Sequence, residues 1–74
     1  MNIEDLISKI EYGSEGAKLT DDNLSMLRIA GEISIYRVFV VNKTSYMIFK
    51  TKREINGSNA FLYRQEKDGS WVKT

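Results

Sequence analysis

An α+β fold, with two short N-terminal helices packed on one face of a four-stranded antiparallel β-meander, follows from three features of the sequence. Apolar residues near the N-terminus recur at helical spacing; from Ile33 onward β-branched and aromatic residues dominate; and Asn42-Lys43, Asn56-Gly57 and Asp68-Gly69 punctuate that second part as hairpin turns. The 74 residues are expected to form a single small α+β domain over 1–74. A chain of this size buries only about 60% of the surface its unfolded form exposes, so its margin of stability is thin.

The first helix opens at Asn2, whose side chain can accept from an unpaired amide of the first turn. Glu4 and Asp5 sit where the helix dipole favours negative charge. Ile3, Leu6, Ile7 and Ile10 fall at i, i+3, i+4 and i+7, one stripe for the core, and Gly13 is expected to end the helix in a left-handed conformation. The stretch 13–18 has two glycines and no large apolar residue, which predicts a mobile connector. A second, short helix follows: Thr20, Asp21, Asp22 and Asn23 offer capping side chains, Leu24, Leu27 and Ala30 recur at spacing three, and Gly31 is a stop. The competing reading is a strand over 24–30, since Leu24, Met26, Arg28 and Ala30 also alternate with Ser25, Leu27 and Ile29.

Four strands are predicted at about 33–41, 45–55, 59–66 and 70–73, the numbers set by the turn residues. Asn-Gly and Asp-Gly tolerate positive φ and suit two-residue turns, whereas the lysine of Asn42-Lys43 meets a steric cost there. With two-residue turns throughout, opposed residues share a face. One face then collects Tyr36, Val38, Val40, Met47, Phe49, Leu62 and Trp71, the expected core. The other collects Ile33, Ile35, Arg37, Phe39, Tyr46, Ile48, Lys50, Lys52, Phe61, Tyr63 and Val72. This second face is too apolar for an ordinary solvated surface and too cationic for a core.

Charge divides along the chain. Residues 1–31 hold Glu4, Asp5, Glu11, Glu15, Asp21 and Asp22 against Lys9, Lys18 and Arg28, a net of −3; residues 32–74 carry a net of +4, for a total of +1. Either the halves attract each other within one fold, or a basic sheet meets an acidic partner.

Composition excludes more than it proposes. With no cysteine and no histidine there is no disulfide framework, zinc-thiolate cluster, thiol nucleophile or imidazole base. Residues 13–20 lack the spacing of a phosphate-cradling loop, and Asp21-Asp22-Asn23 reads as helix capping rather than a calcium loop. No cofactor or metal is implied, and an enzyme is the least favoured class. No basic, apolar leader begins the sequence and no apolar run approaches the roughly 20 residues of a membrane span. A cytoplasmic protein is expected, and Asn42-Lys43-Thr44 and Asn56-Gly57-Ser58 read as turns rather than glycosylation sites.

The constellation that can carry binding is the interleaving of aromatic and basic residues: Arg37, Phe39, Tyr46, Lys50, Lys52, Phe61 and Tyr63. It points to a non-enzymatic protein-binding module, a small inhibitor, adaptor or self-associating subunit. The alternative is single-stranded nucleic acid, with bases stacked on the rings and phosphates tracked by the cations. The structural reading of the same residues is a set of cross-strand pairs with lysine stems laid over them.

Overall fold

The computed structural model describes residues 2–13 and 17–74. In chain order the elements are α1 (Ile3–Glu11), β1 (Lys18–Leu19), α2 (Asp21–Ile29), β2 (Ile33–Val41), β3 (Thr44–Ile55), β4 (Ser58–Gln65) and β5 (Trp71–Lys73). The α+β class holds, and the meander gains a fifth member: the antiparallel sheet runs β1-β5-β4-β3-β2. Two-residue β1 starts at Lys18, the last residue of the stretch expected to be a connector, of which Ser14 to Gly16 fall outside the described residues.

Both helices form for the reasons their ends announce. Asn2 accepts from the Asp5 amide at 2.9 Å, and Leu6, Ile7 and Ile10 are buried with Ile3 packed beside them. The glycine that follows α1 works differently from expectation. Gly13 is outside the left-handed region, and a Cβ there would run into the Lys9 carbonyl oxygen. In α2, Thr20 and Asn23 form a reciprocal capping box, and residues 24–29 are helix rather than strand, with Ala30 as the C-cap. Gly31, at φ +75°, closes α2: its amide donates to the Arg28 carbonyl and the Glu32 amide to the Leu27 carbonyl, the paired bonds of a Schellman cap. Only Leu24 and Leu27 of α2 are buried; Ala30 is exposed.

Asn42 and Lys43 both take positive φ, as do Asn56 and Gly57, and each pair makes a two-residue turn. The third turn is longer. Glu66 and Ser70 pair across Lys67, Asp68 and Gly69, with Gly69 at φ +89°.

That extra residue and two irregularities redistribute the side chains. In β2 a bulge at Tyr36 shifts the register between Ile35 and Arg37. In β3 the four residues 51–54 stand opposite the one residue Asn59, three more than a regular ladder takes. Each odd offset flips a strand segment. Ile33, Ile35, Phe61 and Tyr63, expected on the second face, are in the core or packed on it. Tyr36 and Leu62, expected in the core, are turned to the other face and exposed. Val38 and Val40 keep the expected face, opposite Met47 and Ser45, but are exposed there because the helices leave that end of β2 uncovered. Met47, Phe49 and Trp71 are buried as expected, Trp71 because the offsets in β3 and in the last turn cancel.

The core is the space between the helices and one face of the sheet, where Leu6, Ile10, Leu24 and Leu27 meet Phe49, Phe61, Tyr63 and Trp71. Phe49 touches both Phe61 and Tyr63, at centroid distances of 5.9 and 5.1 Å, a range in which aromatic pairs attract. The sheet also caps α1. Lys73 Nζ donates to the Ile10 carbonyl at 3.2 Å and Asn56 Nδ2 to the Glu11 carbonyl at 2.8 Å, satisfying acceptors that a helix end leaves open.

Candidate binding face

The five-stranded sheet has one face under the helices and one without them. Register assigns the second, outer face in rows. One row crosses every strand, Phe39, Tyr46, Arg64, Val72 and Lys18; the next holds Arg37, Ile48 and Leu62; a third holds Ser34, Lys50 and Ala60. The bulge turns Tyr36 toward this face too, where Lys50 Nζ lies 4.8 Å from its ring centroid. Val72 is buried here between the basic residues Arg64 and Lys18 of its row, outside the main core, in keeping with the way long basic side chains lay their stems over apolar neighbours.

Of the residues singled out from the sequence, Arg37, Phe39, Tyr46 and Lys50 come together on this face, and Lys52 follows Lys50 on the same side where β3 still runs beside β2. Phe61 and Tyr63 do not: both are buried beneath the helices. Tyr36, Leu62 and Arg64 take their place, and only the two slips in register could have revealed them. Phe39 and Tyr46 stack with centroids 5.5 Å apart and planes 13° from parallel. The Arg37 guanidinium lies over the Phe39 ring at 5.4 Å, within the range of cation–π attraction.

The electrostatics divide in two. Part of the basic charge is spent inside the fold: Arg53 meets Glu32 at 2.9 Å and Glu4 at 3.2 Å, joining the bulged end of β3 to α1 and to the link between α2 and β2. Lys18 meets Asp68 at 3.5 Å. The Ser70 hydroxyl and then its amide hold the Asp68 carboxyl below its ordinary range. On the outer face Arg64 reaches Glu66 at 3.6 Å. Arg37 and Lys50 have aromatic rings as neighbours instead, and no salt bridge reaches either among the described residues.

Among the described residues no three Asp or Glu side chains gather as metal ligands would, and no helix is long and apolar enough to cross a membrane. The chain matches no family model, no curated protein and no solved structure. What the outer face offers is contact chemistry: flat rings and aliphatic surface, with a cation in every row.

Proposed function

We propose that the chain is a non-enzymatic protein-binding module, a small inhibitor or adaptor, whose docking surface is the outer face of its sheet. The observation that carries this reading is the combination of Arg37 and Lys50 with Tyr36, Phe39, Tyr46, Ile48 and Leu62 on a face that neither helix covers. Aromatic residues and arginine are the side chains most enriched where proteins meet. Cations without an acidic neighbour favour a partner that presents carboxylates. Purification of the tagged chain from its native host, followed by reconstitution with the protein that accompanies it, tests the reading. Arg37→Glu with Lys50→Glu should abolish that complex, and Lys67→Glu, in the last turn, should leave it intact. Retention by the double variant overturns the proposal.

A second reading, single-stranded nucleic acid, is favoured by one observation: the stacked pair Phe39 and Tyr46 has a cation on one side in Arg37 and a further ring-cation pair in Tyr36 and Lys50. Titration with short single-stranded DNA and RNA at low salt separates the readings, since contacts to phosphate are strongest there.

A further inference from the structure

We infer that β2 pairs antiparallel with β2 of a second copy of this chain, joining two sheets edge to edge. This goes beyond the docking of a partner on the outer face and does not depend on it. In the sheet order β2 is terminal, and all nine of its residues have β3 on one side only. The opposite edge, β1, is two residues long, a common way to blunt an edge. β2 carries one such protection, the bulge at Tyr36, and past it lacks the others: it has no proline and no lysine, and its one charged residue, Arg37, leans over the Phe39 ring.

The backbone and side chains along this edge are arranged for a strand. Residues that flank a two-residue turn exchange both of their hydrogen bonds, and alternate pairs do so thereafter. With Val41 opposite Thr44, Arg37, Phe39 and Val41 turn their backbone groups to β3, and Val38 and Val40 turn theirs outward. The side chains of Val38 and Val40 lie on the helix-bearing face, beside Met47 and Ser45, yet remain 58% and 64% exposed.

Self-complementarity selects a second copy as the occupant. The bulge at Tyr36 leaves Arg37–Val41 as the regular stretch, and a two-fold axis at Phe39 uses all of it. Val38 then exchanges two hydrogen bonds with Val40 of the other copy, and the reverse. The four valines close into one apolar cluster, and Phe39 meets Phe39 on the outer face. Arg37 faces Val41 and never another Arg37, so pairing brings no like charges together. An isologous contact of this kind closes at two chains. Five residues bury far less than a standard interface, so the dimer is a weak one that forms with rising concentration.

Sedimentation equilibrium of the unmodified chain, taken up to millimolar concentration, should show the mass rise from that of one chain toward that of two. Val40→Lys, at an exposed position, should hold it at one. The register has its own test because the chain has no cysteine. Phe39→Cys places two sulfurs at a non-hydrogen-bonded pair, where the Cα spacing of about 4.5 Å suits a disulfide. Under mild oxidation this variant should cross-link to dimer much faster than Leu62→Cys, which shares the face but not the edge. A mass of one chain at every concentration overturns the inference. So does association that Val40→Lys leaves unchanged, and cross-linking of Leu62→Cys at the rate of Phe39→Cys overturns the register.

Discussion

The indole Nε1 of Trp71 donates a 2.9 Å hydrogen bond to Oδ1 of Asp21, tying the last strand of the sheet to the first turn of α2. The carboxylate thereby serves two neighbours, the indole and the positive end of the helix. Asp21→Ala should lower stability by about 1–2 kcal/mol, read as a lower urea midpoint at unchanged slope. An unchanged midpoint would mean that the bond has no net value in solution.

Tyr63 is fully buried and its hydroxyl has no hydrogen-bond partner among the described residues. An unsatisfied hydroxyl in an apolar core is a standing cost, so Tyr63→Phe should raise stability by about 1 kcal/mol. Thermal denaturation checks this, and a loss of stability would contradict it.

The same hydroxyl sets the response to alkali. Burial pushes Tyr63 up to about 12 from its ordinary 10.0, so between those values the unfolded chain has lost the proton and the folded one keeps it. Its contribution is complete below pH 10 and is lost as pH rises toward 12, a fall of about 2–3 kcal/mol. Urea titrations across this window should show the decline in the natural chain and a shallower one in Tyr63→Phe.

Leu6 is completely buried on the inner stripe of α1. Leu6→Ala should cost about 2–5 kcal/mol through lost burial and the cavity it leaves, enough to unfold much of a marginal domain. A melting temperature equal to that of the natural chain would place α1 outside the cooperative core.

Gly31→Ala has a narrower meaning. The space around Gly31 is open and only its positive φ resists a side chain, so the change should cost about 1 kcal/mol. A larger loss would point to packing at the end of α2 rather than to backbone strain.

Helices and turns were legible in the sequence because their signals are local. Asn2, Thr20, Gly31 and Asn56-Gly57 each act within a few residues of themselves, and each does its expected work. The faces of the sheet were not, because they depend on counting residues across a strand pair. The bulge at Tyr36 exchanges Tyr36 for Ile33 and Ile35 on the core face, the three added residues in 51–54 exchange Leu62 for Phe61 and Tyr63, and no local residue type marks either event. Strand β1 was invisible for a different reason: Lys18-Leu19 pairs with Val72 and Trp71 across the length of the chain and has no period of its own. The charge division was legible and partly internal, since Arg53 draws Glu4 and Glu32 together. Arg37 and Lys50 are among the cations of the sheet that no salt bridge reaches among the described residues.

Docking on the outer face is tested most directly by a photo-reactive phenylalanine analogue placed at Tyr36, with the same group at Tyr12 as the control. Both positions are exposed, one on the outer face and the other at the end of α1. Irradiation in the native host should join the Tyr36 probe to a second protein, identified by mass spectrometry as distinct from another copy of this chain, and leave the Tyr12 probe unjoined. Cross-links from Tyr12 with none from Tyr36 would contradict the assignment of the outer face as the docking surface.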